Sequence, residues 1–366
     1  MKLGTTKEHL LRAIFLTERL VGKKESLPVL ACLLLEATKK SLVIRSTNLE
    51  AGIEVTVPAH IEEPGIVAVS ASTLREVLRT SRGETVSLEC SEGILLIESS
   101  GSKNTLKTVS HEEFPALPRT SGDGGFLISR KQLLHALASV VYATSPSMIR
   151  PELGSVYLLI EDGALTAVAT DSFRLAEKKI VNAAKKDSVE VLIPLKHAQE
   201  MMFVLDKEPA EEVTLELDET QCAVLSPTTM FISRVTDGTF PNYKEIIPKK
   251  ASTEAVILKS DLTEIMRKAK VFAGVDQSVG LHIYPKKKIF SVTARSGEVG
   301  EMSDSLDAAL SGEDLDINFH IGYLADCLST IQSDSVTLSF AGPGKPLVIR
   351  GISDSTFMYL VMPLNR

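Results

Sequence analysis

The chain has 366 residues, is 44% hydrophobic and 24% charged, and carries a net charge of −7. That make-up is globular rather than disordered, and the length exceeds one ordinary core, so two or three domains are expected. No apolar run approaches the ~18 residues of a membrane span, and the opening MKLGTTKEHLLRAIF carries Glu8 and no small-residue cleavage site, so neither a span nor a secretory leader is expected.

A unit of roughly 120 residues recurs three times, and internal repeats decide the fold before motifs do. Each copy opens with a short amphipathic helix: EHLLRAIF from Glu8, KQLLHALASVV from Lys131, SDLTEIMRKAKV from Ser260. Leu10, Leu11, Ile14 and Phe15 in the first, and Leu262, Ile265, Met266 and Ala269 in the third, have helical spacing. A hairpin signal follows in LPVLACLLLEATKKSLVIRSTN, GSVYLLIEDGALTAVATDS and GLHIYPKKKIFSVTARSG. A second strand and helix come next, in GIVAVSASTLREVLRTS, VEVLIPLKHAQEMMFVL and LDINFHIGYLADCLSTI, with Ser72 or Thr73 expected to cap the first. Another hairpin closes each copy: ETVSLECSEGILLIES, EEVTLELDETQCAVLS, DSVTLSFAGPGKPLVIRG. A last strand runs into Phe114-Pro115, Phe240-Pro241 and Met362-Pro363.

The register supports triplication. Leu10, Leu133 and Leu262 are 123 and 129 residues apart, Val86, Val213 and Val336 are 127 and 123, and Pro115, Pro241 and Pro363 are 126 and 122. The expected domains are 1–119, 126–247 and 253–366, parted where PRTSGDGG and IIPKKAST turn to Pro, Ser and Gly. Each is an α+β unit with its helices gathered on one face of antiparallel sheets. Cys32, Cys90, Cys222 and Cys327 are scattered, without a CxxC pair. They read as core residues in a reducing compartment, and the chain as cytoplasmic.

Repeated domains meeting head to tail either close a ring or run on as a filament. If two chains close six domains, twelve helices line the hole; at about 10 Å each, their axes lie on a circle roughly 38 Å wide, leaving roughly 28 Å clear. A duplex about 20 Å across fits that opening with a layer of water. The six expected helices, 7–20, 71–82, 129–141, 195–205, 260–271 and 321–332, hold 12 Lys and Arg against 7 Asp and Glu. They sum to +5, which leaves −12 elsewhere. A positive lining inside a negative shell holds duplex through its phosphates; the competing reading is that each helix merely solvates its basic face.

The motifs LPVL at 27–30, VATDSFRLA at 168–176, DGTFPNYKEIIP at 237–248 and YLVMPLNR at 359–366, in this order and with the triplication, resemble the bacterial DNA polymerase III beta subunits, the sliding clamps. The resemblance spans essentially the whole chain. It implies three DNA-clamp domains per chain, with antiparallel sheets outside and helices inside, closing as a head-to-tail dimeric ring on duplex DNA without sequence preference. It further implies a homodimer that tethers the replicative polymerase, and partners (polymerase, clamp loader, repair polymerases) that insert short linear peptides into a groove. Carried over residue by residue, that groove comprises Arg150, Leu153, Thr170, Phe173, Arg174, Leu175, Pro241, Ile246, Tyr323, Val361, Met362, Pro363 and Leu364. Leu153 and Leu175, as leucines in strands, read by pattern alone as core. Ser172-Phe173 stands where the family often has Gly-His, and Asn365-Arg366 where it often ends Arg-Leu, so peptide preference is expected to differ. DNA contact maps onto Lys23 and Lys24, with Arg12, Arg75, Arg79, Arg82 and Lys196 as further candidates. Such contacts reach phosphates and carry no sequence information. The dimer contact maps onto Leu106, Val271 and Phe272. Lys286-Lys287-Lys288 reads as a solvated hairpin turn.

Nothing in the sequence assembles catalytic machinery. The seven histidines form no HExxH, there is no GxSxG or GxxxxGK[ST], and Gly342-Pro-Gly-Lys345 has the wrong spacing. No cofactor or metal is expected, and with no ATPase motif, loading falls to another protein. A repeat scaffold that binds peptides but no nucleic acid is the alternative of another class.

Overall fold

The computed structural model describes residues 1–22, 27–120, 125–147, 149–181 and 188–364. Six α-helices appear among them: α1 Lys7–Thr17, α2 Ala71–Thr80, α3 Arg130–Val140, α4 Leu195–Lys207, α5 Lys259–Phe272 and α6 Ile321–Leu328. They fall in pairs, and each pair is tied by the same two bonds. The first residue of the leading helix donates its backbone N–H to Glu84, Glu211 or Asp334, each at 2.8 Å. Its cationic side chain then reaches carbonyls just past the end of the second helix or in its last turn. Lys7 Nζ donates to Ser81 O at 2.9 Å, Arg130 to Leu205 O at 2.6 Å and Ala210 O at 3.1 Å, and Lys259 Nζ to Ile331 O at 2.8 Å. Those carbonyls lack helical partners and sit at the negative end of the helix, so a cation there satisfies both needs. The triplication is thus visible in chemistry as well as in pattern.

Two details differ from expectation. The cap of α2 is Ser70, whose hydroxyl accepts from Thr73 N at 3.4 Å, not Ser72 or Thr73. Strand Gly65–Ser70 runs straight into the helix, so its last residue keeps the extended backbone a cap requires and the next two are already helical. On α1 the buried stripe is Leu10, Ala13, Ile14 and Leu16, while Leu11 is half-buried and Phe15 exposed. Phe15 instead meets Phe203, with ring centroids 5.2 Å apart. In α5 the expected Leu262, Ile265, Met266 and Ala269 are all buried.

Among the described residues the strands form four antiparallel sheets of five, eight, nine and four. The chain divides into two compact units, Met1–Lys131 with Gln199–Val235, and Gln132–Ala198 with Thr236–Arg366. In the first unit, strand Thr229–Arg234 pairs with strand Ala51–Val57, joining the end of the middle repeat to the first within the eight-stranded sheet. In the second, strand Phe357–Val361 pairs with strand Arg174–Val181, joining the third repeat to the middle one within the nine-stranded sheet. Sheets therefore run across the repeat boundaries, because the last strand of one repeat completes the hairpin of the one before it. Each unit carries its own buried core of Leu, Ile, Val and Phe. The Lys286–Lys288 run is a solvated turn as expected, with Lys288 in the left-handed region at φ 56°.

Candidate functional site

In the second unit, strands Ala164–Thr170 and Arg174–Val181 are joined by a turn in which the backbone N–H groups of Asp171, Ser172, Phe173 and Arg174 all have acceptors. Asp171 Oδ1 accepts from Phe173 N at 2.9 Å and from Arg174 N at 3.0 Å. Thr170 Oγ1 donates to Arg174 O at 2.7 Å and accepts from Ser172 N at 3.2 Å. Ser172 takes the left-handed conformation, φ 78°, that the tip requires, and an Asx-type turn of this kind stabilises it. The result is a rigid mount holding the Phe173 ring 61% exposed. An exposed ring with a fixed backbone loses little entropy on contact, which suits a binding anchor.

The C-terminal segment lies against this mount. Met362 N donates to Phe173 O and Leu364 N to Asn318 O, both at 2.8 Å. Met362, Pro363 and Leu364 remain half-exposed, and Met362 packs on the cluster of Leu175, Leu360, Tyr243 and Val348. Arg174 is not a free contact but a brace. It bonds Asp171, Asp326 on α6 and Tyr142 O, and lies 4.4 Å over the Tyr323 ring. Burial pulls its pKa down, but Tyr359, Asp326 and Asp171 outweigh that and hold it above the usual guanidinium value. Tyr323 is fixed from its other side, since its carbonyl accepts from Tyr359 Oη at 2.8 Å.

Phe173, Arg174, Tyr323, Met362 and Leu364 thus share one neighbourhood through direct contacts. Leu153, Leu175 and Val361 have almost no exposed surface, so they are core residues, Leu175 in the cluster on which Met362 packs. Thr170 serves the turn. Pro241 and Ile246 are exposed on the segment carrying the short helical turn Tyr243–Ile246, whose Tyr243 anchors in the same cluster and bonds Glu177. Exposed Arg150 pairs with Glu152 at 2.9 Å. Sequence reading missed Asp171 and Asp326, which do the bracing, and Ile149, which is 91% exposed. The Thr-Asp spacing ahead of a hairpin turn was a usable sign for the first; nothing local marks the others.

The basic helix faces are less free than composition suggests. Arg75 pairs with Glu18 at 2.6 Å and Arg79 with Glu76 at 2.8 Å, while Arg19 grips Glu200 and lies 4.0 Å over Phe203. Arg12 reaches only Lys207 O at 3.3 Å, and Arg82 and Lys196 are exposed. Lys23 and Lys24 lie outside the described residues, as do Asn365 and Arg366. Leu106 sits half-buried on strand Ser102–Lys107, an outer edge of the five-stranded sheet. Val271 and Phe272 end α5, the first exposed and the second half-buried.

One cluster has the outline of a relay. His282 bonds Asp316 through Nδ1 at 2.5 Å and Thr293 Oγ1 through Nε2 at 2.9 Å. The Gly280 beneath it is paired on both sides, to Thr293 and Asn318. Its backbone lies within the ladder on both sides. No described helix is long and apolar enough to cross a membrane.

The architecture is that of the DNA polymerase sliding clamps. Over the whole chain it matches the clamp structure from Bacillus subtilis with a TM-score of 0.95 at 26% identity, covering 99% of that chain. The beta subunit from Thermotoga maritima matches with 0.92 at 25% identity, again over the whole chain and 99% of the other. The curated Bacillus subtilis beta sliding clamp is 27% identical over 378 residues, covering both chains completely. Family models for the N-terminal, central and C-terminal domains of the DNA polymerase III beta subunit match residues 1–118, 127–242 and 244–365. The chain belongs to the DNA polymerase III beta subunit family.

Proposed function

We propose that two copies of the chain close head to tail into a ring around duplex DNA and tether the replicative polymerase to it. One observation carries the reading: the strand pairing that joins repeats inside the chain has an unmade counterpart at its two ends. Strand Ser102–Lys107 is the first repeat's equivalent of Thr229–Arg234 and Phe357–Val361, and it is a free edge. Strand Gly300–Leu306 is the third repeat's equivalent of Ala51–Val57 and Arg174–Val181, and it too is a free edge. Uncovered edges of this kind invite pairing with another chain. Joining them would make a nine-stranded sheet from the five and the four, matching the nine already present in the second unit.

The internal junctions also give the register. Thr229, Phe231 and Ser233 face Val55, Ile53 and Ala51, and Phe357, Tyr359 and Val361 face Lys178, Ala176 and Arg174. By equivalence Ser102, Asn104 and Leu106 face Asp304, Met302 and Gly300 of the second copy. Lys107 then lies diagonal to Glu301, a favourable cross-strand placement. Leu106 would be covered, with Val271 and Phe272 as the other apolar contributors. The experiment is oxidative cross-linking: Asn104→Cys with Met302→Cys should form a covalent dimer, and Asn104→Cys with Ser303→Cys should not. Equal yields, or none, would overturn the register.

Within that ring Arg12, Arg82 and Lys196, with Lys23 and Lys24, would meet phosphates, giving sequence-blind, salt-sensitive binding. Arg75 and Arg79 would contribute less, being paired. The Phe173–Leu364 surface would receive the short peptides of polymerase, clamp loader and repair polymerases. An apolar face with fixed polar edges is what such peptides need. The three domains would be the 1–119, 126–247 and 253–366 segments, and the site of action the cytoplasm, where bacterial replication takes place.

A further inference from the structure

The turn that mounts Phe173 has a duplicate in the first unit. Between strands Leu42–Thr47 and Ala51–Val57, Asn48 Oδ1 accepts from Glu50 N at 2.9 Å and Ala51 N at 2.8 Å. Thr47 Oγ1 donates to Ala51 O at 2.8 Å and accepts from Leu49 N at 3.0 Å. Leu49 has φ 79°, where Ser172 has 78°. Arg234 N donates to Glu50 O at 2.9 Å, as Met362 N does to Phe173 O. Bond for bond, Thr47–Ala51 is Thr170–Arg174, and Arg234 stands where Met362 stands.

The floor is apolar in both places, by different routes. Where the second unit has the Leu175 side chain, the first has Gly52, and a Cβ there would lie 2.4 Å from Leu117 Cδ2. Only a glycine lets Leu117 sit directly on the strand, where it packs with Ala223, Met230 and Ile232. A cavity of about 510 Å³ remains beside it, bordered by Glu50, Gly52, Pro115, Pro118, Ile232 and Arg234. The seat has an apolar floor, a rigid rim and room.

The rim has changed character most. Phe173 is replaced by Glu50 and Met362 by Arg234, both exposed. Neither side chain has a hydrogen-bond or ion-pair partner among the described residues. An apolar peptide settling there would strip water from a carboxylate and a guanidinium and return nothing to either, whereas at Phe173 and Met362 the same approach is favourable. Specificity is often built by such an unfavourable element against the unwanted complex.

We propose that Glu50 and Arg234 are specificity-determining residues that deny the apolar partner peptide a second seat, so that each chain takes one peptide and takes it at Phe173. This inference rests on the reading of the Phe173–Leu364 surface as the peptide site. Beyond the shared turn the backbones keep in step, Thr236 N bonding Leu192 O at 2.7 Å as Leu364 N bonds Asn318 O at 2.8 Å. The side chains differ, with Val235 and Thr236 where the other repeat has Pro363 and Leu364. A seat opened at Glu50 is therefore followed by Val235-Thr236 rather than the more apolar Pro363-Leu364, and should be the weaker of the two.

The test is the stoichiometry of a fluorescein-labelled polymerase-derived peptide, by equilibrium titration against the intact dimer. Wild type should bind one peptide per chain. Glu50→Phe with Arg234→Met should bind two, the second about tenfold more weakly. In a Phe173→Glu background, which empties the first seat, the same pair should restore one weak site. Two peptides on wild type, or one on a folded double variant, would overturn the inference. No binding to wild type would instead sink the peptide-site reading beneath it. Should the double variant not fold, each single substitution is read in the Phe173→Glu background, where both failing to restore any binding counts against the proposal.

Discussion

At the first unit's junction, strand Ala51–Val57 places Val55 opposite Thr229; at the second unit's, strand Arg174–Val181 places Lys178 opposite Phe357. The ladders match, but Lys178 is buried and bonds Asp354 at 2.8 Å, with the two side chains only 8% and 9% exposed. The same backbone thus supports a greasy seam in one unit and an ion pair in the other, and a charged rim in one and an apolar rim in the other. Repeated secondary structure fixes where strands meet; the side chains at a few register positions decide what each meeting place can do.

The largest effect should come from breaking the ion pair. Asp354→Asn strands Lys178 in the interior and should cost roughly 3–5 kcal/mol at pH 7, measured by urea unfolding of the second unit. Burial alone would raise the Asp354 pKa, but bonds from Lys178 and Thr356 outweigh it and hold it below the usual carboxylate value. A carboxyl depressed in the folded state stabilises fully above its unfolded pKa and loses that stabilisation as pH falls through the folded one. The gap between wild type and Asp354→Asn should therefore close in acid, below about pH 4. A gap that stays constant would mean the pair contributes nothing.

Next comes the rim. Phe173→Glu, or removal of Met362 to Arg366, should weaken a polymerase-derived peptide at least about thirtyfold, near 2 kcal/mol, while leaving the dimer intact. Fluorescence anisotropy beside sedimentation separates the two. Smaller still is the effect of the mount. Asp171→Ala and Asn48→Ala each remove a side-chain acceptor from two backbone donors and should each cost about 1 kcal/mol of stability. Only Asp171→Ala should also loosen the peptide; equal effects on binding would erase the functional difference between the turns. The smallest change belongs to the helix faces. Replacing Arg12 and Lys196 by Ala, or Lys23 and Lys24, should flatten the salt dependence of DNA association, the logarithmic slope falling by about 0.9 for each phosphate left unneutralised. Arg75→Ala should flatten it less, because Glu18 already neutralises that charge.

Much of this was legible in the sequence. The threefold period, six helices within a few residues of their ends and the closing hairpins follow from apolar spacing, which is local. What was not legible is relational. Nothing in the pattern of strand Thr229–Arg234 says that it will pair with Ala51–Val57, a strand from the previous repeat, so the sheets that cross repeat boundaries had to be seen. Phe15 has the spacing of a core residue, but its side chain points past the stripe toward Phe203. Arg75 counts as positive in composition, yet it sits beside Glu18, which only the fold brings within reach, whereas the Glu76 partner of Arg79 is three residues away on the same helix. Asp171 is one short polar residue in a turn, yet with Asn48 at the same place in the first repeat it sets the geometry of both rims.

The ring itself is tested most directly by topology. The chain is loaded on nicked circular DNA by its cognate loader with ATP, washed in high salt, and the circle is then cut. Retention on circles and release from the linear form is the result a closed ring requires. Loss from circles and linear DNA alike under salt would mean that the protein holds DNA by charge alone, and would contradict the account.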